Sequence, residues 1–229
     1  MSRPILLLLA LLPVLAQAQS SCSSDGQLRP TALLERFISA DCDSCWADAR
    51  TAQPGPREVA LDWIVPGSRG EDAPLSAAAS RDGLARLAAL GAPAPAASQE
   101  ARSKLVAAAR SLRVAHGLPF NGYMGTSIEL KPAGHSPWSA WLVLVETIPA
   151  GTDGTPVERN LVRNVLQPAW GGREMLSKAQ QMRLFESRPL SIPEGAHPDR
   201  LRVIGWVQDA RGDIRAIAQS RCGPLPPGK

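Results

Sequence analysis

The 229-residue sequence predicts an α/β first half followed by a mostly β second half, with the change near Asn121. Three observations predict this. Residues 33–39 and 59–65 are short apolar runs, and the second is apolar almost throughout, as in a strand covered on both faces. The stretches around them carry helix start and stop signals. From Tyr123 onward the pattern is strand and turn.

The elements follow in order. Residues 19–30 are polar and read as a segment held by Cys22. Residues 33–39 read as a strand and 43–51 as a short helix, stopped by Gln53-Pro54-Gly55-Pro56. Residues 59–65 make the next strand, which Pro66-Gly67 ends. Two alanine-rich helices are then expected. Ser76 caps the first, with Leu84, Leu87 and Ala88 on one face and Gly91 just past its end. Ser98 caps the second, with Leu105, Ala108, Ala109 and Leu112 at helical spacing. Residues 124–130 and 138–147 are expected to pair across Lys131-Pro132-Ala133-Gly134. Residues 150–156 read as a turn-rich loop, and 157–166 fit a strand or a helix. Residues 177–185 read as a short helix running into extended chain. The clearest hairpin is 201–208, the turn Asp209-Ala210-Arg211-Gly212, then 213–220. No internal repeat is present.

Residues 1–18 read as a secretory signal. Arg3 gives the positive start, an apolar stretch follows, and Ala16-Gln17-Ala18 fits the small-x-small cleavage rule. The apolar stretch is shorter than the roughly 20 residues a bilayer span requires. Gln19 stands where a lipoprotein signal has an aliphatic residue, which argues against a lipid anchor on Cys22. The expectation is a soluble periplasmic or secreted protein. The net charge of +4 is spread thinly, with no basic run, so no nucleic-acid partner is expected. No H-E-x-x-H, nucleophile-elbow serine or phosphate loop occurs, and no cofactor is expected.

The chemistry-bearing constellation is Cys42-Asp43-Ser44-Cys45, at a predicted strand-to-helix junction. At a helix N-terminus the first cysteine is the nucleophile and the second, one turn on, resolves the mixed disulfide. Cys42 and Cys45 take those roles. Asp41 and Asp43 flank Cys42 and oppose thiolate formation, which suits a reductant or isomerase better than a strong oxidant. Two other readings stay open: a stable small-ring bridge, and a copper(I) site made by the two thiolates. His116, His135 and His197 have no ligand spacing to one another or to the C-x-x-C. Cys22 and Cys222 remain, at the two ends of the chain. An even cysteine count in an oxidising compartment predicts that they pair. Trp63 is placed near the cysteines, and Trp138, Trp141, Trp170 and Trp206 are assigned to packing.

The segment Leu33-Leu34-Glu35-Arg36-Phe37-Ile38-Ser39-Ala40-Asp41-Cys42-Asp43-Ser44-Cys45 resembles the start of a family of secreted bacterial thioredoxin-like proteins of mostly uncharacterised function. Leu61-Asp62-Trp63, Trp141-Leu142-Val143-Leu144-Val145, Arg159-Asn160-Leu161-Val162-Arg163 and Gly205-Trp206-Val207-Gln208-Asp209 are similar to later segments of that family. The resemblance implies a thioredoxin-like domain over 19–121, a β-rich, sandwich-like domain over 122–222 and a tail over 223–229. It implies thiol–disulfide exchange, with protein thiols or disulfides as partners. Two departures stand out. Trp46-Ala47 replaces the family's prolines after the C-x-x-C. The family's cis-proline, which faces the cysteines, has Pro119 as its candidate here, with an ordinary turn proline as the other reading.

Overall fold

A computed structural model describes residues 22–106, 110–135, 137–171 and 177–222. The predicted signal, 1–18, and tail, 223–229, lie outside these. The strands are β1 (Cys22–Ser23), β2 (Ala32–Ser39), β3 (Glu58–Val65), β4 (Ser98–Lys104), β5 (Ser111–Phe120) and β6 (Tyr123–Lys131). They continue as β7 (Ser139–Ile148), β8 (Arg159–Leu166), β9 (Leu184–Ser191), β10 (Leu201–Gln208), β11 (Ile214–Gln219) and β12 (Arg221–Cys222). The helices are α1 (Asp43–Trp46), α2 (Arg81–Ala89) and α3 (Lys178–Met182).

The strands form two sheets. One runs β12-β1-β5-β6-β9, the other β11-β10-β7-β8-β3-β2-β4. This corrects the expectation of an α/β thioredoxin-like domain followed by a β-rich one. The helices have four, nine and five residues, and most of the regular structure is β. The position near Asn121 is the tip of the β5–β6 hairpin, and both sheets draw strands from either side of it.

The largest misreading is the second alanine-rich helix. Residues 98–104 are β4, antiparallel to β2. Propensity there favours a helix, but the open edge of β2 offers a full ladder of backbone partners, and tertiary pairing wins. Glu100, Arg102 and Lys104 then give the sheet a charged edge. Ala108 and Ala109 of that expected helix lie outside the described residues, and Leu112 is in β5. The first helix exists as α2, but Ser80 caps it, accepting from the Asp82 amide at 3.1 Å. Gly91 follows it at φ +68. The expected pairing of 124–130 with 138–147 is also absent. β6 pairs with β5 and β9, whereas β7 pairs with β10 and β8 in the other sheet. The reason is the turn Asn121-Gly122, with φ +48 and +75, which fits a tight two-residue hairpin to β5.

The seven-stranded sheet curls on itself. Leu105, just past β4, bridges Ile214 of β11, and the Val106 amide donates to the Ile214 carbonyl at 2.8 Å. The two edge strands thereby meet. The concave face holds one core, with Leu33, Phe37, Trp63, Val143, Ile204 and Trp206, plugged by Leu87 of α2. The convex face is divided. Around β7 and β10 it packs on the five-stranded sheet through Leu142, Leu144, Val203 and Val207 against Val114, Ile128 and Leu130. Around β2, β3 and β8 it is covered by the C-x-x-C segment and short turns through Ile38, Ile64, Leu161 and Trp46. That second half of the convex face carries the candidate site.

Candidate functional site

β2 and β3 run parallel in register, Arg36 opposite Asp62 and Ile38 opposite Ile64. The chain leaves the carboxyl end of β2 at Ser39, turns through Asp41, and enters α1 with Cys42 as its N-cap residue. α1 ends after one turn rather than extending to residue 51. Asp48 stops it: its carboxylate accepts from the Arg50 amide at 2.8 Å and its carbonyl accepts from Thr51. A side chain that bonds its own backbone competes with the helix ladder.

Cys42 and Cys45 are joined by a disulfide, and both residues are half-buried at the surface. The loop carrying them is tied down from two directions. The Asp41 carboxylate accepts from the Ser68 hydroxyl at 2.8 Å, the Ser68 amide at 2.7 Å and the Arg69 amide at 3.2 Å. The Ser68 hydroxyl, with these amides, holds the Asp41 carboxyl below its ordinary range. Gly67 is required beneath this contact, since a Cβ there would lie 2.3 Å from the Asp41 carboxylate carbon.

From below, Arg159 of β8 reaches the loop's backbone. Its Nη2 donates to the Trp46 carbonyl at 2.8 Å, the Cys45 carbonyl at 3.3 Å and the Thr51 hydroxyl at 2.9 Å. Its guanidinium carbon lies 5.0 Å from the Trp46 ring centroid. The charge is balanced by Asp62, which accepts from Arg159 Nη1 at 3.0 Å and from Arg36 Nη2 at 2.6 Å. The Asn160 amide adds a third bond to that carboxylate at 2.8 Å. Asp62 and Arg159 are fully buried and Arg36 nearly so. Burial lowers the Arg159 pKa, opposed by Asp62. Buried charges persist only when paired and hydrogen-bonded, and this cluster meets that condition for its carboxylate.

Beside the cysteines is a recess of about 120 Å³, lined by Arg36, Cys45, Asp48, Thr51, Gln99 and Arg159 among others. Its wall is polar and charged, unlike the apolar floor under Trp46. It borders Cys45 rather than Cys42.

Trp63 faces the concave core, stacked on Phe37 at 6.0 Å, so Trp46 takes the place beside the cysteines expected of it. Pro119 lies in β5 of the five-stranded sheet, opposite Met124. The one cis peptide among the described residues is Lys131–Pro132, so Pro119 is not a cis-proline. Cys22 and Cys222 form the expected second disulfide, in register between β1 and β12. No helix among the described residues is long and apolar enough to cross a membrane.

Sequence reasoning missed the Arg36–Asp62–Arg159 cluster. A signal was present: Asp62 interrupts an otherwise apolar strand, and Arg36 interrupts another. A charge at such a position requires a buried partner. No protein-family model, curated protein or solved structure matches this chain.

Proposed function

We propose that the Cys42–Cys45 pair exchanges with protein thiols and disulfides outside the cytoplasm, as a reductant or isomerase rather than a strong oxidant. The placement of the Cys42–Cys45 bridge carries this reading. Both residues are half-buried at a strand's carboxyl end, with Cys42 as the N-cap residue of α1, whereas the other bridge joins a buried Cys22 to an exposed Cys222 across two paired strands. Thiol–disulfide exchange requires a sulfur that an incoming thiolate can reach.

As a reductant, the reduced pair acts through the Cys42 thiolate, which attacks a substrate disulfide, forms a mixed disulfide and releases one substrate thiolate. Cys45 then attacks the Cys42 sulfur, releases the second substrate thiolate and closes the Cys42–Cys45 bridge. As an isomerase, Cys42 forms the same mixed disulfide and a different substrate thiolate displaces it, so that Cys42 leaves reduced. The Asp41 anion beside Cys42 and the brevity of α1 both disfavour a very acidic thiol. Export with residues 1–18 as signal belongs to the same proposal. Two disulfides and the resemblance of residues 33–45 to secreted proteins support it.

The test is the reduction potential of the Cys42/Cys45 couple, with alkylation rates of the reduced thiols. The reading expects a potential above about −300 mV. It also expects Cys42 to alkylate faster than Cys45, and this bridge to open before Cys22–Cys222. A potential well below that value favours the second reading, a structural staple. The grip of Arg159 on the Cys45 and Trp46 carbonyls speaks for that alternative.

A further inference from the structure

Cys22 stands on β1 between two partners. Its Cα is in register with Cys222 of β12 on one side and with His116 of β5 on the other. The two sulfurs and a ring nitrogen of His116 lie within 4.8 Å of one another. His116 is 3% exposed. Its Nδ1 is 2.9 Å from the Gly117 carbonyl oxygen. A carbonyl only accepts, so Nδ1 carries the proton. Burial disfavours a charged ring here. Nε2 is then a bare lone pair, and it has no hydrogen-bond partner among the described residues. Leaving a buried acceptor unpaired is destabilising, so its retention beside two sulfurs points to a ligand.

We propose that Cys22, Cys222 and His116 form a redox-gated copper(I) site, shut while the cysteines are bridged and opened when the bridge is reduced. A small thiol supplies the electrons. Two reductant thiols break the Cys22–Cys222 bond, become a disulfide themselves, and leave each cysteine protonated. Cu⁺ then displaces the two thiol protons and takes two thiolates and Nε2 as ligands.

The donor set selects the metal. Two thiolates are soft ligands that favour Cu⁺, and the imidazole is a borderline ligand that copper also accepts. A structural zinc site requires four protein ligands, and no fourth histidine, cysteine or carboxylate joins this cluster among the described residues. Cys22 and His116 are buried, whereas Cys222 is exposed, so an ion enters from the Cys222 side and ends in a largely dry site. The Gly117 carbonyl fixes the ring and its tautomer, as an acceptor on the far nitrogen of a metal-binding histidine does. This site shares no residue with the Cys42–Cys45 pair, and its fate is independent of that couple's activity.

The experiment uses the Cys42→Ser/Cys45→Ser protein, so that only Cys22 and Cys222 supply thiols. It is reduced with a phosphine, desalted without oxygen, and titrated with Cu⁺ against bicinchoninate. The expected result is one Cu⁺ held per chain, with a sulfur-and-nitrogen shell in X-ray absorption, and none held by the oxidised protein. His116→Gln is expected to lose the nitrogen contribution and weaken binding roughly tenfold or more, at least the scale on which the hydrogen-bond partners of metal ligands act. Cys222→Ser, at the exposed end, is expected to abolish binding. Near-UV circular dichroism of the tryptophans follows folding throughout. The site is refuted if bicinchoninate keeps all the copper, if His116→Gln leaves affinity and shell unchanged, or if Zn²⁺ binds and Cu⁺ does not. Loss of the near-UV signal on reduction that Cu⁺ does not restore also refutes it.

Discussion

Arg159 Nη1 stands 3.0 Å from Asp62 Oδ1 while Nη2 of the same guanidinium donates to the Trp46 carbonyl at 2.8 Å. One buried side chain therefore joins the charge inside the sheet to the backbone that carries the C-x-x-C. The planar fork is what lets it face both ways, and a lysine has no equivalent.

Arg159→Met is expected to destabilise the protein by about 3–5 kcal/mol, because Asp62 then keeps only Arg36 as a cationic partner in a fully buried setting. The same change is expected to speed reduction of Cys42–Cys45, since the carbonyls of Cys45 and Trp46 lose their anchor. Urea midpoints and the rate of reduction by a small thiol check the two halves. A stability loss with no change in the reduction rate would mean that Arg159 supports the sheet but not the loop.

Another buried cation sits on the concave face. Arg86 of α2 donates from Nε and Nη2 to both Glu35 oxygens at 2.8 and 2.7 Å, and from Nη1 to Gln208 at 2.9 Å. It lies 5.2 and 5.0 Å from the ring centroids of Trp141 and Trp206, which stack on each other at 5.7 Å. Arg86→Met strands the Glu35 carboxylate and is expected to cost about 3–5 kcal/mol. The double variant Glu35→Leu/Arg86→Met removes both charges and is expected to recover much of that loss. A double variant less stable than Arg86→Met would show that the pair is not the source of the cost.

The parts of this fold that were legible in the sequence are those with local signals. The β10–β11 hairpin is marked by alternating residues around Asp209-Ala210-Arg211-Gly212, and α3 by Ser177 ahead of Gln180, which form a capping box. β2, β3 and the cysteine loop were legible from apolar runs and punctuation. What failed depended on distant partners. Nothing within residues 98–104 says that β2 has an open edge. The Asn121-Gly122 turn was a readable hairpin signal, but the expected helix over 98–112 hid the strand it joins. His116 has no sequence neighbour of ligand type. Only the strand order β12-β1-β5 brings it to Cys22 and Cys222.

Gly205 of β10 faces the five-stranded sheet. A Cβ at this position would lie 2.7 Å from Val114 Cγ1, 3.2 Å from Ile128 Cδ1 and 3.2 Å from the Trp141 carbonyl oxygen. The first two contacts are side chains across the core and the third is fixed backbone. Gly205→Ala is therefore expected to push the sheets apart and destabilise by about 1–3 kcal/mol. Gly125, whose Cβ would meet nothing within 4 Å, is the control, and Gly125→Ala is expected to have a much smaller effect. Equal losses in the two variants would show that strand glycine itself, not the inter-sheet contact, sets the cost.

His116 gives the fold a pH dependence above the carboxylate range. Burial lowers its pKa from 6.5, with the Gly117 carbonyl opposing. Between the folded and unfolded pKa values the unfolded chain binds more protons than the native one, so stability rises with pH. The contribution is fully present above about pH 6.5 and is lost as the pH falls through the lowered folded value. The carboxylates with lowered pKa values, Asp25, Asp41 and Asp48 from 3.8 and Glu129 from 4.5, act further down. The wild-type urea midpoint is expected to fall between pH 7.5 and pH 5.5, and His116→Gln, which carries no titratable ring, is expected to fall less. Measured with the disulfides intact, the difference between the two slopes isolates His116, and equal slopes would assign the acid sensitivity to another group.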